Sequence, residues 1–155
     1  MLLENPVFVA LDTTDLDQAV AWADVVRPCV GGVKVGLEFF NSNGPDGVRR
    51  IVDLGLSVFL DLKFHDIPNT VAGAVRAVAG LGAAIVNVHA SGGGAMLTAA
   101  AEAAAEHGAG RPLVIAVTVL TSLDDDDLAG VGQKGPAASQ VERLARLTQS
   151  CGLDG

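Results

Sequence analysis

The densest group of reactive side chains in this sequence is one short segment, Asp61-Leu62-Lys63-Phe64-His65-Asp66. If the segment is extended, its period of two puts Asp61 and Lys63 on one face and Leu62 on the other. A carboxylate and an ammonium side by side are costly to bury unless they pair, so a structural ion pair is one reading. Asp12 and Lys34, carried by the two preceding apolar segments, favour another. With them, four or five charges converge on one rim, which marks a reactive site more often than a scaffold. An ammonium between carboxylates remains a cation near neutral pH, because neighbouring negative charge favours the charged form. Such a group is a poor nucleophile but a good partner for a carbanion, to which it can deliver a proton. The carboxylates would repel an anionic group on a substrate. Proton transfer or decarboxylation therefore fits better than Schiff-base chemistry, which needs a neutral amine.

The elements that must position these residues recur along the chain. Short apolar segments rich in Val, Ile, Leu and Phe occupy residues 7–11, 33–37, 56–62, 83–90 and 113–120. Runs this short and this continuously apolar predict strands buried on both faces, as in a parallel sheet covered by helices. Helical periodicity fills residues 15–26, 45–54, 69–81, 95–107 and 138–151. Gly55, Gly82, Gly108 and Gly152 stand where left-handed C-caps are expected, and Asp15 and Asn69 where N-caps are. The pattern is five βα units, the start of either a doubly wound sheet or a (β/α)8 barrel.

Asp12, Lys34, Asp61, Lys63, His89 and residues 118–122 fall toward the C-terminal ends of successive predicted strands. A barrel builds its site there from several strands, whereas a doubly wound sheet concentrates it at one switch point with a Gly-rich phosphate loop. No G-x-G-x-x-G follows the first strand, and Gly92, Gly93 and Gly94 read as a flexible loop rather than a phosphate cradle. The expected fold is therefore α/β of the (β/α)8 TIM-barrel type, truncated to about five βα units. A full barrel needs eight strands and about 250 residues. Residues 1–155 are read as one partial barrel domain lacking strands six to eight, with residues 151–155 as a helix C-cap followed by the approach to a sixth strand. Open edges at the first and fifth strands would favour association or instability.

Residues 61–70, Asp-Leu-Lys-Phe-His-Asp-Ile-Pro-Asn-Thr, resemble the signature of the orotidine 5′-phosphate decarboxylases, which make UMP in pyrimidine synthesis. Residues 9–12, 33–36, 86–90 and 117–121 agree with that family in the same order. The resemblance implies that Lys63 donates the proton to C6 of the pyrimidine after carbon dioxide leaves. It implies that Asp61 lies beside the scissile carboxylate and holds Lys63, and that Lys34 and Asp12 bind ribose hydroxyls and complete an alternating charge network. It places Asp66 and Thr70 across the interface of a homodimer in the neighbouring subunit's site, counts Ile67 among the substrate-binding residues and sets Thr121 near the pyrimidine ring. The family uses no metal or organic cofactor. It grips the substrate phosphate in loops after the later strands, so residues 1–155 alone are expected to have little or no activity. The alternatives are a catalytically silent fragment that only binds or assembles, and a magnesium-dependent sugar-phosphate decarboxylase, which Lys34 disfavours because those relatives carry an acidic metal ligand there.

Composition narrows the partners. The chain has 155 residues, 50% of them hydrophobic, with 10 Lys and Arg against 18 Asp and Glu. Its mean hydropathy of +0.42 excludes a disordered segment, and no apolar run approaches the roughly 20 residues of a membrane span. A net charge of −8 argues against a sequence-independent nucleic-acid binder, so any anionic ligand must be held by a few local cations. The first six residues carry no leader signature, which predicts a cytoplasmic protein. Cys29 and Cys151 read as buried or inert thiols, and His65 and His89 as packing residues near the site. The run Asp124 to Asp127 reads as the acidic start of a short helix or loop rather than a metal cluster.

Overall fold

The structure, a computed structural model, describes residues 5–155. The expectation about the leader falls largely on residues 1–4, outside the described residues. Strands β1 (Phe8–Ala10), β2 (Gly32–Gly36), β3 (Ser57–Phe64), β4 (Ile85–His89) and β5 (Leu113–Val117) form one sheet in the order β1-β2-β3-β4-β5, every adjacent pair parallel. Helices α1 (Leu16–Val26), α2 (Leu37–Val52), α3 (Pro68–Ala79) and α4 (Gly94–Ala105) make the crossovers; α5 (Asp125–Gly130) and α6 (Ala137–Ser150) follow β5. The expected α/β alternation is present at all five units.

Local chemistry explains most boundaries. The Asp15 carboxylate accepts the Gln18 N–H at 3.0 Å and caps α1. Gly55, Gly82, Gly108 and Gly152 all have positive φ, as C-cap glycines require. At Gly82 (φ 85°) a Cβ would also stand 2.9 Å from Val52 Cγ1, so shape and backbone both demand glycine. Two expected helix starts are corrected. α2 begins at Leu37 rather than at residue 45, because Gly44 (φ 62°) breaks the helix and Pro45 restarts it. α3 is capped by Ile67 and not by Asn69, since Pro68 takes the first helical position. Gly92, Gly93 and Gly94 form a packed turn rather than a loose loop: residues Ala90–Gly92 are a 3₁₀ turn, and a Cβ on Gly92 would collide with Met96. Of the two thiols read as buried or inert, Cys29 is exposed and Cys151 half-buried.

The core lies between the sheet and its helices. Val33, Val35, Val58, Leu60, Val86 and Val88 from the strands meet Phe39, Ile51, Val75 and Leu97 from the helices, all essentially inaccessible. Strands buried this way must be apolar along their length, which is why they read as continuous runs.

Beyond β5 the last residues lie along its free side. Asp154 N–H donates to Val114 O and Ala116 N–H to Gly155 O, each at 2.9 Å, as at the start of a sixth parallel strand. The Asp154 carboxylate accepts from both Arg111 Nη atoms at 2.7 Å and from Val114 N–H at 2.8 Å. The Arg111 hydrogen bond, opposed by burial and helped by the Val114 N–H and the guanidinium charge, holds this carboxyl below its ordinary range. Asp154→Ala is expected to cost about 1 kcal/mol at neutral pH in urea unfolding, because solvent screens this partly exposed pair. Because the folded pKa is the lower one, the difference should shrink as pH falls below about 4.

Candidate active site

β3 is the longest strand, and its second half is irregular. Its register with β4 runs Phe59 to Ile85 and Leu60 to Val86, then resumes at Phe64 to Val88, so residues 61–63 face Asn87 alone. Such a bulge bends a strand and re-aims its side chains. Within it, Lys63 has φ 50° and is the only non-glycine residue with positive φ among the described residues. That conformation costs a side-chain-bearing residue about 1–2 kcal/mol, and strain of this kind gathers at functional sites.

The bulge places Lys63 Nζ 2.6 Å from Asp61 Oδ1. Lys34 Nζ, from β2, stands 3.4 Å from Asp61 Oδ2 and 3.6 Å from Asp12 Oδ1. Asp12, Lys34, Asp61 and Lys63, expected from strand period and order to converge on one rim, thus form one line of alternating charge. The line is graded: Asp61 is 9% exposed, the two lysines are half-buried and Asp12 is open to solvent. The Lys63 contact is a charge-assisted hydrogen bond, whereas the Lys34 contacts are longer ion pairs that leave its N–H donors free for a ligand. Burial pushes the Asp61 carboxyl up, but hydrogen bonds from Lys63 and Asn87 and the charges of Lys63 and Lys34 outweigh it and hold the group below its ordinary range. A cavity of about 240 Å³ opens on this line, walled also by Gly36 and Leu37.

Asn87 is the residue the sequence reading passed over. Its Nδ2 donates to Asp61 Oδ1 at 2.7 Å and its Oδ1 accepts the Lys63 N–H at 2.7 Å. The signal was an amide in the middle of the apolar run 83–90.

The remaining expected site residues make none of the contacts that join the charged line. Asp66 accepts the N–H of its neighbour Ile67 at 2.6 Å, and Asp66, Ile67 and Thr70 are exposed around the start of α3, Ile67 at 66%. Thr121 is exposed beyond β5. The His65 and His89 rings lie 5.5 Å apart, tilted by 41°. Burial, with the charges of His65 and Lys63, lowers the His89 pKa against the opposing pull of Asp61. The Asp124 run does start a short helix: Asp124 and Asp127 form a reciprocal capping box. Among the described residues no group of three or more His, Cys, Asp or Glu is placed to hold a metal ion, and no helix is long and apolar enough to cross a membrane.

Residues 5–155 match the sequence profile of the Orotidine 5′-phosphate decarboxylase / HUMPS family. The Orotidine 5′-phosphate decarboxylase of Rhodospirillum rubrum is 57% identical over 159 residues, covering 99% of this chain and 64% of the relative. That of Sodalis glossinidius is 56% identical over 151 residues, covering 97% of this chain and 60% of the relative. The chain therefore spans about three-fifths of the length of these curated relatives. Among solved structures, an uncharacterized conserved protein from Geobacillus kaustophilus superposes with a TM-score of 0.90 at 40% identity, covering 97% of this chain and 72% of that one. Orotidine 5′-phosphate decarboxylase from Lactobacillus acidophilus gives 0.86 at 38%, covering 98% and 70%.

Proposed function

The chain belongs to the Orotidine 5′-phosphate decarboxylase / HUMPS family, and from that premise we propose that its charged line serves the decarboxylation of orotidine 5′-phosphate to UMP in pyrimidine synthesis. The observation that carries this reading is the alternation Asp12–Lys34–Asp61–Lys63 with Lys63 Nζ 2.6 Å from Asp61. The substrate carboxylate sits against Asp61, whose charge opposes it. The bond from C6 to the carboxylate breaks, carbon dioxide leaves, and the electron pair remains on C6 facing the Lys63 ammonium. Lys63 then gives a proton to C6, forming UMP and a neutral amine that solvent reprotonates. An ammonium already in place costs no reorganisation as the carbanion develops, which is how fixed charge lowers such a barrier. Lys34 and Asp12 take the ribose hydroxyls, and Thr121 lies by the ring.

Asp66 and Thr70 act on the site of a second copy in a cytoplasmic homodimer, and Ile67 beside them contributes to substrate binding. Their exposure in their own chain supports that arrangement. Residues 1–155 supply five βα units of a (β/α)8 barrel, and the phosphate is gripped by loops after later strands. Remote phosphate binding is energy an enzyme spends at the reacting centre.

The test is loss of orotidine 5′-phosphate absorbance with purified residues 1–155 and with a polypeptide extended through three further βα units. Turnover is expected from the extended form and little or none from residues 1–155. A folded extended form inert toward this substrate would remove the assignment, leaving a binding or assembly role. Full turnover by residues 1–155 would overturn the part given to the later loops.

A further inference from the structure

Asn87 is 1% exposed and flanked in β4 by the buried Val86 and Val88. A lone amide in such surroundings costs free energy unless both its ends are hydrogen-bonded. Both are, and both bonds cross to β3. Chemistry fixes the orientation of the amide. The Lys63 N–H can only donate, so the oxygen faces it, which turns the NH₂ toward the Asp61 carboxylate. Extra residues in a bulge leave the ladder, and here the Asn87 oxygen takes up the N–H of the residue in the left-handed conformation.

We propose that Asn87 is a positioning residue for the Asp61–Lys63 pair, its oxygen fixing the backbone from which Lys63 projects and its NH₂ fixing the carboxylate oxygen that Lys63 Nζ meets. What the pair does with substrate rests on the function proposed above; the holding of the pair does not. Asp61 Oδ1 receives Lys63 Nζ and Asn87 Nδ2 together, while Oδ2 faces Lys34. One amide therefore decides which carboxylate oxygen is committed to Lys63 and which is left toward the cavity. The titratable and charged groups around the pair are Lys34 from β2, Asp12 beyond β1, and His89 at the end of β4.

The test is substrate-free NMR on residues 1–155, following the Asp61 carboxyl ¹³C titration and the Lys63 amide ¹H shift in wild type, Asn87→Ala and Asn87→Asp. Circular dichroism and amide dispersion establish that each is folded. In Asn87→Ala the Asp61 midpoint is expected to rise by about one pH unit, the equivalent of one charge-assisted hydrogen bond, and the Lys63 amide proton to move upfield. Asn87→Asp keeps an acceptor for the Lys63 N–H but sets a carboxylate against Asp61. The amide shift should stay near wild type while the carboxyl midpoint rises further. If Asn87→Ala does not fold, the aspartate variant decides alone. A merely structural Asn87 would lower the urea midpoint and leave both signals in place, and unmoved signals in the folded variants overturn the proposal. None of these signals needs turnover, so an inactive extended form would sink the proposed reaction without touching this result.

Discussion

Lys63→Ala is expected to slow decarboxylation of orotidine 5′-phosphate about 10⁵-fold in a polypeptide extended to the length of its relatives. Proton delivery by a positioned acid contributes roughly 10²–10⁴, and a fixed charge at a developing anion roughly 10²–10³. Both come from one ammonium, and the two factors overlap, so the loss should fall short of their full product. No second donor is placed to stand in: Lys34 Nζ lies on the Oδ2 side of the Asp61 carboxylate, away from the Oδ1 that Lys63 meets. Lys63→Arg restores the charge but not a group able to surrender a proton, so it should recover little. The absorbance assay reads this directly, with product binding measured in parallel. Activity within tenfold of wild type in Lys63→Ala would mean that the proton comes from elsewhere.

Asp61→Asn is expected to lower kcat about 10³-fold while leaving KM unchanged or reduced. Removing the charge that opposes the substrate carboxylate relaxes the bound ground state, and a fall in both constants is the mark of relieved strain rather than lost binding. A rise in KM with kcat preserved would instead make Asp61 a simple binding residue. The same variant has a pH signature in stability. Because the folded carboxyl lies below its ordinary value, its contribution is present above the unfolded pKa of about 4 and is lost as pH falls through the folded one. Urea unfolding should find wild type about 1–3 kcal/mol ahead of Asp61→Asn at pH 7, with the gap closing in acid.

The centres of all five strands were legible because both faces of a parallel sheet are buried and the apolar runs are unbroken. The ends were less so. Residues 118–120 continue the apolar run of β5, yet the strand stops at Val117. The start of α2 was hidden by Pro45, which reads as a first helical residue and is one, though of the second half of a helix broken at Gly44. Asp12, Lys34, Asp61 and Lys63 could be brought together on paper because strand period and strand order suffice to align them. The bulge could not, since it depends on three residues of β3 meeting one of β4, a relation between segments about 25 residues apart. Asn87 was missed for the same reason: its partners are across the sheet. For Asp66, Ile67 and Thr70 the sequence suggested a place in the site, while within one chain they face solvent.

Because sheet order is chain order, each strand pairs with the one made just before it. Every closure spans only a few tens of residues, and the entropy of closing such loops grows slowly with their length. A polypeptide emerging N-terminus first can therefore lay down its sheet strand by strand during synthesis, always extending the newest edge. On that schedule Asp61 and Lys63 arrive with the third strand, but the amide that holds them comes only with the fourth. An intermediate lacking β4 would carry the reactive pair against Lys34 of β2 but without the Asn87 amide, and β4 would lock it.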